Sequence, residues 1–268
     1  MNRLRFAALG SGSEGNALVV ELVESTSVTR VLLDCGLALR ETERRLERLG
    51  VAPESLAAIV VTHEHGDHVG GVERLARKHA IPVWMTHGTF VASRIGGVGM
   101  IKSALEIEVN LIDSHAPFAV GGLEMHPFPV PHDAREPVQY VFSDGQRRLG
   151  VLTDLGGSTP HVEAMLLGCD ALVLECNHDA AMLERGAYPA SLKARVGGRY
   201  GHMDNAQAGA LLSRLKHASL QHVLAAHLSQ QNNTPELARA ALALALGCDP
   251  EWIGIADQNA GFDWREIF

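Results

Sequence analysis

"VVTHEHGDHVGG", residues 60–71, sets His63, His65, Asp67 and His68 into six consecutive positions directly behind an apolar run. In an extended chain, residues i and i+2 point the same way, so His63 and His65 are placed to bind one metal ion together. Gly66 permits a sharp turn, and past it Asp67 and His68 face a second ion beside the first. Imidazole and carboxylate donors of this kind suit Zn²⁺, and also Mn²⁺ or Fe. The rival reading, a solvated histidine-rich loop, crowds imidazoles together at a cost in stability that nothing offsets.

A pair of ions needs further ligands, and three residues stand where they are needed. His132 follows "HPFPVP", Asp154 ends "RLGVLTD" and His227 ends "HVLAAH". Each is a polar side chain at the C-terminal end of an apolar run, where sites on sheets are built. Alone, each reads as a cap or a surface residue; beside the cluster they read as a site. Histidine is abundant throughout, with 14 in 268 residues.

The rest of the composition bounds the protein class. With 46% hydrophobic and 20% charged residues the chain can bury a sizeable core. Net charge is −8, against the basic footprint of many nucleic-acid binders, so a polyanion requires a local patch. The four cysteines (Cys35, Cys169, Cys176, Cys248) form no C-x-x-C pair, which argues against a disulfide framework or a cysteine zinc site. Apolar runs such as "AAIVVT" and "ALALALG" are shorter than a membrane span, and the N-terminus lacks a signal-peptide core; the expected location is the cytoplasm, with no membrane partner.

Along the chain, strand-like runs ("RFAALGS", "ALVVELV", "TRVLLDCG", "AAIVVTH", "IPVWMTH") alternate with helical ones ("LRETERRLERLG", "HVGGVERLARKH"). From Leu105 to Thr153 strands with tight turns follow, with Ser143-Asp144-Gly145 as a hairpin signal; the second half returns to strand and helix. The expectation is an α/β protein, a two-sheet sandwich in one domain over residues 1–268.

The ordered set His63-x-His65-x-Asp67-His68, His132, Asp154 and His227 resembles the metallo-β-lactamase superfamily over almost the whole chain. That resemblance implies an αββα sandwich, two mixed sheets flanked by helices. It also implies one ion held by His63, His65 and His132, another by Asp67, His68 and His227, and Asp154 bridging them. "LGSGSEGNALVVE", "PHDAREPVQY", "TDLG", "LECNHD", "GHMDN" and "AHLSQQNNTPELA" further resemble the YycJ/WalJ-like branch, which implies a single-strand or 5′-directed DNA exonuclease.

Several stretches suit phosphate handling. Ser11, Ser13 and Asn16 lie on a Gly-rich turn that is either an anion-approaching backbone or simply a tight turn. Residues 185–202, "RGAYPASLKARVGGRYGH", carry Arg185, Lys193, Arg195 and Arg199 with no acidic residue, and Tyr188 and Tyr200 are placed to stack on bases. Asn16, Lys193, Arg195, Arg199 and His178 are therefore the candidate substrate contacts, and His202, read as the head of a helix over "HMDNAQAGALL", the candidate proton donor. The expected chemistry is phosphodiester hydrolysis at two divalent ions (Zn or Mn, with Fe a third choice) by a bridging hydroxide. Asp67 takes the water's proton, Asp154 bridges, and His202 steadies the departing oxygen. DNA is the expected partner and RNA the alternative. Rival readings keep the fold but hydrolyse a small thioester, lactone or cyclic phosphodiester, or keep the metal without catalysis.

Overall fold

The computed structural model describes residues 2–93, 95 and 107–268. Within them the strands form two seven-stranded sheets. The strands are β1 (Arg3–Gly10), β2 (Ala17–Val23), β3 (Val28–Leu33), β4 (Ala58–Val60), β5 (Val83–Thr86), β6 (Val109–Ile112), β7 (Phe118–Val120) and β8 (Leu123–Pro129). They continue with β9 (Val138–Ser143), β10 (Arg148–Leu152), β11 (Ala171–Glu175), β12 (His222–Ala226), β13 (Gly254–Ile255) and β14 (Phe262–Ile267). The first sheet runs β14-β1-β2-β3-β4-β5-β6 and the second β13-β12-β11-β10-β9-β8-β7. Each is mixed: β14-β1-β2-β3 and β7-β8-β9-β10 pair antiparallel, β3 to β6 and β10 to β13 parallel.

The helices are α1 (Leu39–Arg48), α2 (Gly66–Val69), α3 (Val72–His79), α4 (His87–Ser93), α5 (Pro160–Leu166), α6 (Ala180–Arg185), α7 (Ala190–Val196), α8 (Asn205–Leu215) and α9 (Pro235–Leu246). Period-two alternation explains how they stack on the sheets. In β4, Ala58 and Val60 join a core between the sheets with Phe6, Val20, Tyr140, Phe142 and Val173, whereas Ile59 points outward to Leu46 of α1 and Leu75 of α3. On the far side Leu152, Leu174 and Val223 pack against Val162, Leu211, Leu212 and Leu242 of α5, α8 and α9. Strands covered on both faces read as unbroken apolar runs, which is why these segments were legible. The result is the expected αββα sandwich. Among the described residues no helix is long and apolar enough to cross a membrane.

Local departures from expectation have steric causes. The helix expected over "HVGGVERLARKH" breaks at Gly70 and Gly71 into α2 and α3, and the chain passes so close to Leu37 O that a Cβ on Gly71 would collide with it. Gly66 opens α2 with ordinary negative φ and open space around it, so the turn there does not require glycine. The helix expected from His202 begins at Asn205: Asp204 caps it, its carboxylate accepting from Gln207 N at 2.7 Å while the Gln207 side chain accepts from Asp204 N. The hairpin at Ser143-Asp144-Gly145 forms, Asp144 Oδ1 accepting from Gln146 N and Arg147 N with Gly145 at φ +87°. Of the strand expected over "ALEIEVNLI", Val109–Ile112 forms; residues 104–106 lie outside the described residues.

Arg45, buried on α1, ties two distant segments. Its Nη1 donates to Leu9 O at 2.7 Å and to Gln258 O at 2.8 Å, and its Nε to Glu41 at 2.5 Å. Arg45→Ala strands both buried carbonyls and should cost roughly 2–4 kcal/mol, read as a lowered denaturant midpoint at unchanged m-value. Hydrogen bonds from Arg44 and then Arg45 hold the Glu41 carboxyl down at about 2. A depressed carboxylate stabilises fully above its unfolded value and loses that contribution as pH falls through its folded one. Between about pH 4.5 and 2, a Glu41→Gln variant should therefore show a shallower fall of Tm than the parent.

Candidate metal centre

The parallel halves of both sheets end on one edge, and the chemistry-bearing side chains follow those strand ends. Asp34 follows β3, the 62–68 segment follows β4, Asp154 follows β10 and His227 follows β12. Asp34, Asp154 and His227 stand at φ +59°, +58° and +55°, the left-handed region that non-glycine residues avoid. Such a conformation costs about 1–3 kcal/mol per residue and persists where the surroundings impose it. Here it turns each side chain back over the strand ends.

The donor atoms converge as two overlapping groups. His63 Nε2 lies 3.1 Å from His65 Nδ1, which lies 3.2 Å from His132 Nε2. Asp67 Oδ2 lies 3.5 Å from His68 Nε2 and 3.3 Å from His227 Nε2. Between them sits the Asp154 carboxylate: Oδ2 is 2.9 Å from His68 Nε2, and Oδ1 is 3.4 Å from His227 Nε2 and 3.9 Å from His132 Nε2. His63, His65 and His132 form one set with ligand atoms within 4.8 Å of one another, and Asp67, His68 and His227 form another.

The opposite nitrogens of the rings are held from behind. His68 Nδ1 meets Asp34 Oδ2 at 2.8 Å, while Asp34 also accepts from Thr62 N and Thr62 Oγ1. His132 Nδ1 donates to Gly201 O at 3.0 Å, and His63 Nδ1 meets Thr62 Oγ1 at 2.9 Å. Partners of this kind fix ring orientation and select the nitrogen that faces the ligand site.

Burial and charge divide the histidines. Burial, with His68 and His132 nearby, pushes His63 well below its ordinary value, and burial also lowers His132; both are neutral donors at neutral pH. Burial opposes charge on His68 and His227 too, but Asp154, with Asp34 beside His68 and Asp67 beside His227, raises both. Asp67 works against burial, its carboxyl held far below the usual carboxylate range by hydrogen bonds from His227 and His68.

These donors fit a divalent ion on two counts. Nitrogens about 2.0–2.1 Å from a tetrahedral Zn²⁺ stand roughly 3.3 Å apart, close to the His63, His65 and His132 spacing. Asp154 Oδ2 is fully buried and makes no well-directed hydrogen bond, its near neighbour being His68 Nε2 at 2.9 Å, so the oxygen keeps lone-pair capacity for a cation.

The expected substrate contacts are placed differently. Asn16 is buried, and its amide is spent on the site itself: Nδ2 donates to Gly12 O at 3.0 Å and lies 3.1 Å from His68 Nε2 and 3.4 Å from Asp67 Oδ2. Its backbone N donates to Asp67 O at 2.7 Å, and Ser11 Oγ accepts from His227 N, so the Gly-rich turn braces ligands. His178 is buried with Nδ1 on Asn177 Oδ1 at 3.3 Å. In the basic stretch, Lys193 Nζ donates to Glu184 O and Arg195 Nε to Asp133 Oδ2, both at 2.6 Å. Arg199 stays exposed, its guanidinium 4.7 Å from the Tyr200 ring centre.

Two buried acids escaped the sequence reading. Asp34 closes "TRVLLD" as Asp154 closes "RLGVLTD", so the same signal was available there. Glu175, fully buried at the end of "ALVLE", accepts from His202 Nδ1 at 2.7 Å, Leu155 N at 3.0 Å and Met203 N at 3.1 Å. It too closes an apolar run, the mark that Asp154 carries.

Comparison with known proteins follows this geometry. A beta-lactamase superfamily domain matches residues 29–227. The chain is 35% identical over 243 residues to Exodeoxyribonuclease YycJ of Bacillus anthracis, covering 91% of this chain and 89% of that protein. It is 29% identical over 262 residues to Exodeoxyribonuclease WalJ of Streptococcus pneumoniae serotype 2, covering 97% and 92%. The metallo-beta-lactamase fold protein YhfI from Bacillus subtilis superposes with a TM-score of 0.75 over 99% of this chain and 100% of its own, at 16% identity, an agreement of fold. The chain thus belongs to the beta-lactamase superfamily, in the branch of YycJ and WalJ, and is a metal-dependent hydrolase.

Proposed function

We propose that the chain is a dinuclear phosphodiesterase, a 5′-directed exonuclease on single-stranded DNA that acts in the cytoplasm. The observation that carries the reading is the convergence of two donor sets on a buried Asp154 carboxylate that lies within 4 Å of His68, His132 and His227, beside His202. His63, His65 and His132 would hold one ion, Asp67, His68 and His227 the other, with Asp154 shared. When bound, the ions would lower the pKa of water toward neutrality and neutralise charge on a phosphoryl group. Zn²⁺ and Mn²⁺ both suit nitrogen and carboxylate donors. The four cysteines are unpaired, in keeping with a reducing compartment.

The protein's own groups do the rest. Glu175 grips Nδ1 of His202, leaving Nε2 without a protein partner among the described residues. Burial opposes the imidazolium, while the Glu175 charge and hydrogen bond, with Asp154 after them, raise its pKa to about 9. His202, stacked on His227 with ring centres 5.3 Å apart, is thereby placed to protonate a leaving oxygen. Asp67 has 23% of its side chain exposed, and a carboxyl held far below its usual range stays an anion, which suits a metal ligand better than a proton acceptor. DNA as substrate rests on the names of the curated relatives, and polarity on the resemblance of motifs.

Digestion of 5′-labelled and 3′-labelled single-stranded DNA with Mn²⁺ or Zn²⁺ tests the assignment. Metal-dependent release of mononucleotides from the 5′ end is expected, lost in a His65→Ala, Asp67→Ala double variant. Release from the 3′ end would reverse the polarity. Intact DNA alongside hydrolysis of a thioester, lactone or cyclic phosphodiester would replace the substrate class. A second expectation concerns Asp34, which touches no candidate ion directly. Asp34→Asn should weaken metal affinity by about 10–100-fold, read by chelator competition, because His68 loses its orienting carboxylate.

A further inference from the structure

The turn that joins α7 to His202 is held against the candidate metal centre by its backbone. Gly201 O accepts from His132 Nδ1 and Tyr200 O from Asp133 N, both at 3.0 Å. His202 N donates to Val196 O at 2.8 Å, and Gly201 N to Gly198 O at 2.9 Å. On the other side, Gly156, two residues beyond Asp154, packs on the Arg199 backbone so closely that a Cβ there would collide with Arg199 C and O. The Asp133–Arg195 ion pair at 2.6 Å adds a side-chain tie to α7. A turn pinned at so many points holds its side chains in fixed positions.

That rigid turn nonetheless leaves a large aromatic ring open to solvent. Tyr200 is 48% exposed, one of few large apolar side chains of the described residues so displayed. The Arg199 guanidinium lies 4.7 Å from its ring centre, which orients the ring and places a cation with it. Tyr200 stands two residues before His202 and its carbonyl accepts from Asp133 N, next to His132, so the turn that carries the ring borders the candidate metal centre. Arg199 makes no ion pair among the described residues, unlike Arg195.

Resting on the phosphodiesterase reading above, we infer that Arg199 and Tyr200 form the platform on which the base next to the scissile phosphate stacks. Aromatic rings accept any base face, whereas a base inside a duplex has both faces covered by its neighbours. The platform therefore selects an unpaired strand without selecting sequence, and it leaves the 2′ position unread. Lys193 and Arg195, which the basic stretch first suggested, serve instead as ties that keep the platform in place.

The test is a cycle between protein and substrate. Wild type, Tyr200→Ala and Tyr200→Phe are assayed on a single-stranded oligonucleotide and on the same oligonucleotide with an abasic residue beside the cleaved phosphate. Thermal melts check that the exposed substitutions leave the fold intact. Stacking on one base is worth enough to raise KM about tenfold or more in Tyr200→Ala, with kcat little changed and Tyr200→Phe close to wild type. On the abasic substrate wild type should fall to the level of Tyr200→Ala, and the difference between them should vanish. Equal KM for wild type and Tyr200→Ala on the intact strand would overturn the platform, as would a Tyr200→Ala penalty that persists on the abasic strand. Wild type that hydrolyses bis(p-nitrophenyl) phosphate but no oligonucleotide would overturn the nuclease reading and the platform together.

Discussion

A carboxylate buried among imidazoles governs this structure. Asp154 is 2% exposed, sits at φ +58° and lies within 4 Å of His68, His132 and His227. An isolated buried ion carries a penalty of several kcal/mol even after relaxation, about what a small domain can lose before unfolding. The surrounding charges must therefore be matched, and His68, His132, His202 and His227 gather within 4 Å of this one group. His68 balances it on one side and is balanced in turn by Asp34.

The sandwich supplies what that arrangement needs. Parallel pairing from β3 to β6 and from β10 to β13 brings strand ends from both sheets to one edge, so residues far apart in the chain meet there. Helices on both outer faces let the central strands be largely apolar, and most of the chemistry-bearing side chains stand at or just beyond the strand ends. The Gly-rich turn at residues 11–16 and the turn at 197–202 each hold candidate donors in place. Asn16 grips the Asp67 and His68 end, and Gly201 grips His132. In sequence the basic stretch suits substrate handling, and the Gly-rich turn is either an anion-approaching backbone or a tight turn; in the structure Arg199 and Tyr200 are exposed while Asn16 is buried against Asp67 and His68.

Much of this was legible because two signals are local. The alternation of β4, where Ala58 and Val60 face one way and Ile59 the other, is a property of neighbouring residues. The ligand residues announce themselves by type and by position at the ends of apolar runs. Roles that depend on a partner far along the chain were harder to read. Nothing near Asn16 says that Asp67 lies 51 residues away against its amide, and nothing near Arg195 says that Asp133 will claim its guanidinium. Asp34 and Glu175 carried the same strand-end signal as Asp154 but stood outside the histidine pattern that drew the reading.

The amino-acid sequence by itself determined the kinds of donor, their order and the strand and helix periods, since each follows from residue chemistry and spacing of a few positions. Tertiary structure alone decided which charges neutralise each other, which cations remain open to a substrate and which nitrogen of each histidine faces the centre. Those outcomes depend on distances of 3–4 Å between segments separated by tens to hundreds of residues. Electrostatic and hydrogen-bond energies fall off within such distances, so they exist only once the two sheets have closed on each other.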